Sequence, residues 1–218
     1  MTQNAIVERG KNIVSVSKDS YICLWNCGQS KLIEPKIEIN DCINCLDINE
    51  SNLNLLENEE NSEDLEIGTQ GKVLLVGTEN GSVHLVDLKG RTILKSAQFS
   101  SAVNCINFLL DNFAVIGTQE GKISILSLPN LEILSEIHDS ESSIVSLMPL
   151  RSGFVVGKFD GTCLWHGFEP RTGEISNEII NLSGADVDPI NGIAKDSEYI
   201  YTACRDGIIR KYSINEMF

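Results

Sequence analysis

Basic residues are scarce in this 218-residue sequence. Its 17 lysines and arginines stand against 31 aspartates and glutamates, which gives a formal net charge of −14. A surface this acidic repels phosphate groups, so we expect no nucleic acid and no anionic membrane as a partner. No apolar run approaches the roughly 20 residues of a membrane-spanning helix. The N-terminal stretch MTQNAIVERGKN also lacks the apolar core of a secretory signal.

Disulfide pairing is not indicated either, because the seven cysteines are odd in number and nothing in the sequence suggests secretion. Cys23, Cys27, Cys42 and Cys45 follow the spacing C-x3-C-x14-C-x2-C, which is close to that of a zinc site. The alternative is that they are small buried side chains, since YICLW and INCLDI read as strands. We favour free thiols and no metal. A reducing compartment then predicts cytoplasmic localisation, with the nucleus as a second compartment.

One glycine-rich stretch, GTQEGKISIL at 117–126, has part of a phosphate-binding pattern. A phosphate-binding loop needs G-x-x-x-x-G-K followed by Ser or Thr, whose hydroxyl binds Mg²⁺. Here Gly117 and Gly121 are one residue too close, and Ile123 stands in place of the hydroxyl residue. The stretch therefore predicts a tight turn between two strands, and we expect no cofactor and no small-molecule substrate.

Five segments repeat the same pattern of an apolar run, a turn and an alternating run. Asn-Gly and Asp-Gly between strand-like runs are strong hairpin signals, and they predict two-residue type I′ turns. The first segment has Ser20 where the other four have glycine. The segments are NIVSVSKDSYICLWN (12–26), VLLVGTENGSVHLVD (73–87), FAVIGTQEGKISILS (113–127), GFVVGKFDGTCLWHG (153–167) and YIYTACRDGIIRKYS (199–213).

The turn glycines are regularly spaced. Gly81, Gly121 and Gly161 are 40 residues apart, and Gly207 follows after 46. With one further strand before and one after most hairpins, this period predicts an all-β fold, a β-propeller with about five four-stranded blades. The predicted blades are 4–39, 43–99, 103–137, 144–182 and 188–216. The residues that mark the repeat are Asp19, Trp25, Gly81, Gly121, Gly161, Asp206 and Gly207.

An acidic insertion, residues 49–70, lengthens the second unit. Seven acids and no base lie between residues 50 and 66. Such a like-charged, weakly hydrophobic block predicts a disordered loop. The alternative is a tail that engages a basic partner.

The hairpins resemble those of the WD-repeat family, whose units end with an alternating strand and Trp-Asp. DSYICLWN (19–26) is the best copy, with Trp25 and Asn26 in place of that pair. The family's buried His-Ser-Asp-Trp network is expected to be partial. In the first blade Asp19, Trp25 and Ser15 or Ser17 would form it.

Longer stretches resemble one WD-repeat family, the proteasomal ATPase-associated factors. These stretches are residues 5–30, 114–126, 182–194 and 201–212, and they are similar to that family's C-terminal blades. The resemblance implies a non-enzymatic chaperone of proteasome regulatory-particle assembly. Its expected partners are the C-terminal domains of ATPase subunits. The alternative is a WD-repeat adaptor in another complex, such as a ubiquitin-ligase substrate receptor.

The fifth unit has no outer strand after residue 213, and Met1 lies at the start of an inner strand. In WD-repeat propellers, a strand from the beginning of the chain closes the last blade. The sequence therefore predicts part of a longer, seven-bladed ring. Exposed edges would make the isolated arc prone to self-association.

Acidic residues concentrate in the hairpin turns and in the loops between units, which share one rim of a propeller. Clustered acids steer a basic protein domain towards the rim. For Asp19, Asp160 and Asp206 the alternative is that the carboxylate binds amides of its own turn. The expected partner-binding acids are Asp139, Glu141, Asp186, Asp188, Asp160, Glu120, Asp41 and Glu79.

Histidines are few, and His84, His138 and His166 fall in different units. No Ser-His-Asp or paired-carboxylate spacing stands out, so we expect no catalytic residues and no enzyme activity. A metal-dependent propeller hydrolase, with acids at the central channel, is the remaining enzymatic alternative.

Overall fold

The computed structural model describes residues 3–7, 12–49, 69, 71–138, 140–184 and 188–214. These residues form nineteen β-strands in five antiparallel sheets, and the described part of the chain contains no α-helix. Four sheets have four strands and the fifth has three. The predicted all-β fold, a partial β-propeller of about five blades, is confirmed.

Each sheet is one blade, and its strands follow one another in chain order from the inner to the outer strand. The strands are β1 (Gln3–Val7), β2 (Asn12–Val16), β3 (Tyr21–Asn26) and β4 (Lys31–Glu38) in blade 1; β5 (Ile43–Ile48), β6 (Val73–Thr78), β7 (Ser82–Asp87) and β8 (Thr92–Gln98) in blade 2; β9 (Val103–Leu109), β10 (Phe113–Thr118), β11 (Ile123–Ser127) and β12 (Ile133–Ile137) in blade 3; β13 (Ile144–Leu150), β14 (Gly153–Lys158), β15 (Cys163–Glu169) and β16 (Glu174–Asn181) in blade 4; and β17 (Ile190–Lys195), β18 (Tyr199–Cys204) and β19 (Ile209–Ser213) in blade 5.

The predicted type I′ turns are wrong. In the hairpin of blade 2, Gly81 has a positive φ of 86°, whereas Asn80 does not. The N–H of Gly81 donates to the carbonyl of Thr78 at 3.3 Å. The loop therefore has three residues, a turn followed by one left-handed residue. In blade 1, Ser20 adopts the left-handed conformation, with a φ of 71°.

Apolar side chains fill the spaces between neighbouring blades. Val14 and Ile22 of blade 1 belong to one cluster with Leu74 and Val86 of blade 2, and each is at most 1% exposed. Similar clusters join blades 2 and 3, 3 and 4, and 4 and 5. β6 is buried along its whole length because a blade covers each of its faces. Each blade is therefore stabilised mainly by its neighbours, as in other stacked repeats.

Glycines allow the blades to approach closely. A Cβ on Gly77 would lie 2.5 Å from Val103 Cγ1 in the next blade. A Cβ on Gly117 would lie 2.8 Å from Ile144 Cβ. Blade 5 has Ala203 at the equivalent position, and this residue is exposed.

The outer strands carry features that discourage pairing with other chains. The register shifts where β4, β8, β12 and β16 pair with their neighbours, and β4 also contains Pro35. Bulges and prolines twist or interrupt an edge strand so that it is a poor template for another strand.

The expected WD-type network in blade 1 forms as two separate pairs. Trp25 Nε1 donates to Ser15 Oγ at 2.8 Å, and the Ser17 hydroxyl donates to the Asp19 carboxylate. Trp25 is 40% exposed. Hydrogen bonds at such a position compete with water and contribute little to stability.

The acidic insertion falls largely outside the described residues, so its expected disorder stays a prediction. Its two described residues, Asn49 and Thr69, are buried. Asn49 N–H donates to Val73 O, and Lys72 N–H donates to Thr69 O, each at 3.1 Å. Both ends of the insertion are thus held at the edge of blade 2 opposite the hairpin turns.

Candidate functional site

The hairpin turns and the loops between blades lie together at one edge of the arc, which we call the rim. In blade 2, Glu79 N–H donates to Cys42 O at 2.8 Å, and in blade 3 Gln119 N–H donates to Ala102 O at 2.9 Å. The equivalent bonds, each 2.9 Å long, join Phe159 N–H to Ser143 O in blade 4 and Arg205 N–H to Pro189 O in blade 5.

The hairpins of blades 2 and 3 are closed by threonine. The Thr78 hydroxyl accepts a hydrogen bond from Ser82 N–H at 2.9 Å, and the Thr118 hydroxyl accepts one from Lys122 N–H at 3.1 Å. Each threonine ends the second strand of its blade. The acids of these two turns are therefore not needed to satisfy the turn amides.

Aspartate closes the other three hairpins. The Asp19, Asp160 and Asp206 carboxylates accept from the N–H two residues further on, at 3.3, 2.9 and 2.8 Å. The Ser17 hydroxyl and then the Tyr21 amide lower the pKa of Asp19. Burial raises the pKa of Asp160, but hydrogen bonds from Thr162 and Ser142 outweigh it and lower this pKa. The turn-binding role expected for these three aspartates is the one that the structure shows.

Asp41 also has a local partner. Its carboxylate accepts from Cys42 N–H at 2.7 Å and from Asn80 N–H at 3.4 Å. The side chain thus joins the loop before blade 2 to that blade's turn. Asp41 belongs to the framework of the rim, and the residue is partly exposed.

A cleft of about 720 Å³ opens in the rim between the turns of blades 2 and 3. Three of its lining residues are the predicted acids Glu79, Glu120 and Glu141, and all three are exposed. The remaining lining residues are Ser101, Ala102, Gln119 and His138. The cleft therefore combines three acids with four residues that carry no carboxylate.

Among the described residues, the side chains of Glu79 and Glu120 make only exposed contacts. Glu79 pairs with Lys18 of blade 1 at 3.2 Å, where both side chains are about half exposed. Glu120 accepts from the Ser100 hydroxyl at 3.4 Å. Exposed pairs of this kind are worth about 0 to 1 kcal/mol, so a partner can replace them at little cost.

Two other predicted partner-binding acids, Asp160 and Asp188, do not line the cleft. Asp160 serves its own turn, and Asp188 lies on the loop before blade 5, where its carbonyl accepts from the Cys204 thiol at 3.2 Å. Asp139 and Asp186 lie outside the described residues.

Sequence reasoning missed the residues of the cleft that carry no carboxylate. His138 is part of it, and its Nε2 lies 3.0 Å from Glu120 O. Only its position near the start of a blade set His138 apart in the sequence. Ser101, Ala102 and Gln119 carry no motif, because their role arises from the meeting of two loops and two turns.

The three histidines lie apart in the structure. His84 Nδ1 contacts the Ser96 hydroxyl at 2.8 Å, and burial lowers the pKa of this imidazole. His166 is buried and stacks on Phe154, whereas His138 lies on the rim. Among the described residues there is no group of three or more His, Cys, Asp or Glu side chains able to hold a metal ion. The described part also has no helix long and apolar enough to cross a membrane.

Three curated proteins are similar in sequence to the chain. Proteasomal ATPase-associated factor 1 is 34% identical in Gallus gallus, 33% in Bos taurus and 32% in Homo sapiens, in each case over 169 residues. The alignments cover 77% of this chain and 42% of each relative, so the chain spans less than half the length of the relatives it matches. The resemblance stated from the sequence is confirmed. These relatives are named as associated factors rather than as enzymes.

No protein-family model matches the chain. Among solved structures, the computationally designed Ika8 protein is similar, with a TM-score of 0.71 and 16% identity. That match covers 100% of this chain and 58% of the other. At this identity the likeness concerns the fold alone.

Proposed function

The chain is a relative of proteasomal ATPase-associated factor 1, and from this premise we propose that it is a non-enzymatic protein-binding scaffold. Its partners would be ATPase subunits of the proteasome regulatory particle, whose assembly it would control. The relatives' name supports an association with proteasomal ATPases. The observation that supports this binding surface is the rim cleft, where Glu79, Glu120 and Glu141 line one opening.

The proposed contact is with a basic surface on the C-terminal domain of an ATPase subunit. Carboxylates at the mouth of a cleft attract cationic groups and orient the encounter, chiefly by raising the association rate. The net charge of −14 adds a long-range attraction in the same direction. Lys and Arg side chains are long enough to reach into the cleft while the two backbones remain at the rim.

We also propose cytoplasmic and nuclear localisation. All seven cysteines are free thiols. Free thiols are typical of proteins from reducing compartments.

Affinity purification of the tagged chain, followed by mass spectrometry, tests the proposed function. Recovery of regulatory-particle ATPases, with less recovered by an E79Q/E120Q/E141Q variant, is the expected result. Recovery of ubiquitin-ligase subunits instead would support the adaptor alternative and contradict the proposal. A hydrolase assay of the pure chain with added Ca²⁺ or Zn²⁺ addresses the enzymatic alternative, and we expect no turnover.

A further inference from the structure

Lys158 stands where the two preceding blades have threonine. It ends β14 as Thr78 ends β6 and Thr118 ends β10. The backbone is unchanged by the replacement, because Lys158 N–H donates to Thr162 O at 2.9 Å and Thr118 N–H donates to Lys122 O at 3.0 Å. Only the side chain differs.

The side chain of Lys158 is buried, with 2% of the residue exposed. A buried ammonium group costs free energy unless polar groups surround it, and lysine is seldom fully buried. Here Lys158 Nζ donates to Ser140 Oγ at 2.9 Å. Threonine at this position would close the hairpin without the cost of burying an ammonium group. We therefore relate the lysine to the residues that its ammonium group contacts.

The Lys158 ammonium group contacts Ser140, the first residue of the segment 140–143, which we call the cleft loop. The Ser142 hydroxyl accepts from Asp160 N–H at 3.1 Å, and Ser143 O accepts from Phe159 N–H at 2.9 Å. On the other side the backbone of the loop lies against the turn of blade 3. A Cβ on Gly121 would come within 2.8 Å of Ser142 O.

Glu141 lies between these held residues. Its neighbour Ser140 is held by Lys158, and its other neighbour Ser142 is held by the turn of blade 4. Glu141 itself is exposed and lines the cleft. We infer that Lys158 is a positioning residue, which fixes the cleft loop so that Glu141 faces the partner. This inference rests on the proposed function.

The variant K158M keeps much of the buried stem and removes the donor. We expect it to fold, because methionine keeps the buried stem and removes an ammonium group whose burial costs free energy. Hydrogen exchange at the amides of the cleft loop should rise at least about tenfold, because local exchange follows local opening. K122M removes a lysine from the equivalent hairpin of blade 3 and is the matched control. It should leave exchange in the cleft loop unchanged.

Binding to an ATPase C-terminal domain provides the second measurement. K158M should weaken binding about as much as E141Q does, on the order of threefold to tenfold. The double variant K158M/E141Q should bind no worse than E141Q alone. Lys158 acts through Glu141, so the two changes remove the same contribution to binding. A K158M/E79Q pair should instead be additive. A purely structural effect of Lys158 would not depend on Glu141.

Unchanged exchange in K158M, or additive losses in K158M/E141Q, would overturn the inference. Exchange is measured on the full chain alone and needs no partner. If the unaltered chain binds none of the ATPase domains, the proposed function fails, and raised exchange in K158M would still support the hold of Lys158 on the loop. The two failures are therefore distinguishable.

Discussion

The carboxylate of Asp160 accepts a hydrogen bond from the backbone N–H of Thr162 at 2.9 Å. In blade 3 the hydroxyl of Thr118 makes the equivalent bond to Lys122 N–H at 3.1 Å. The same type of hairpin is therefore closed by two different side chains, a threonine in blade 3 and an aspartate in blade 4. Where the strand ends in threonine, the turn acid is left for other contacts, and where it does not, an aspartate closes the turn.

Replacing Asp160 by alanine should lower the free energy of unfolding by about 1 kcal/mol, because the Thr162 amide loses its partner. D160N should lose less, since the amide oxygen still accepts. Thermal unfolding at neutral pH measures both. Equal stability of D160A and the unaltered chain would contradict the assigned role.

The Asp160 carboxylate also predicts how the free energy of unfolding depends on pH. The pKa of Asp160 is lowered in the folded state. Its contribution is therefore full above its unfolded pKa of about 3.9 and is lost as the pH falls through the lower folded pKa. In D160N this part of the acid sensitivity should be missing. The difference in thermal midpoint between D160N and the unaltered chain should narrow below about pH 4.

The close packing at Gly117 predicts that a larger side chain there destabilises the contact between blades 3 and 4. G117A would bring a methyl group against the Cys105 side chain and Ile144. Overpacking of this kind costs about 1 to 3 kcal/mol. A203G is the matched control, because Ala203 occupies the same position in blade 5 and is exposed. Urea unfolding should show a clear loss for G117A and less than about 1 kcal/mol for A203G.

Cysteine reactivity should follow burial. Burial raises the pKa of Cys105 and of Cys163 to about 12, whereas Cys27 is exposed. Only the thiolate reacts, so at pH 8 about one buried thiol in 10,000 is in the reactive form. Iodoacetamide followed by peptide mass spectrometry should label Cys27 first. Cys105 and Cys163 should react only after unfolding in urea. Early labelling of Cys105 would show that the contact between blades 3 and 4 opens readily.

The strand positions could be predicted from the sequence because the signals are local. The blade expected to begin at residue 103 begins with β9 (Val103–Leu109), and glycine spacing located the hairpins. The turn type could not be predicted in this way, because Asn-Gly suits both a two-residue and a three-residue loop. The φ of Asn80 decides between them, because a type I′ turn needs it to be positive and it is not.

The cleft could be predicted only in part. Charge identified its three acids, but it did not separate them from the turn aspartate Asp160, for which the sequence left both roles open. The difference depends on one residue, since Lys158 replaces the threonine that would have closed the turn. The rest of the lining, including Gln119 and His138, comes from segments that meet only in the folded arc.

The most direct test of the central claim is the affinity of the chain for the C-terminal domain of each proteasomal ATPase subunit, measured by fluorescence anisotropy over a range of salt. We predict that one domain binds and that E79Q/E120Q/E141Q weakens this binding at least about tenfold at low ionic strength. The difference should shrink as salt screens the charges. The control E132Q/E178Q/E198Q changes three exposed acids outside the cleft and should have a much smaller effect. Equal affinities for the cleft variant and the unaltered chain would contradict the account.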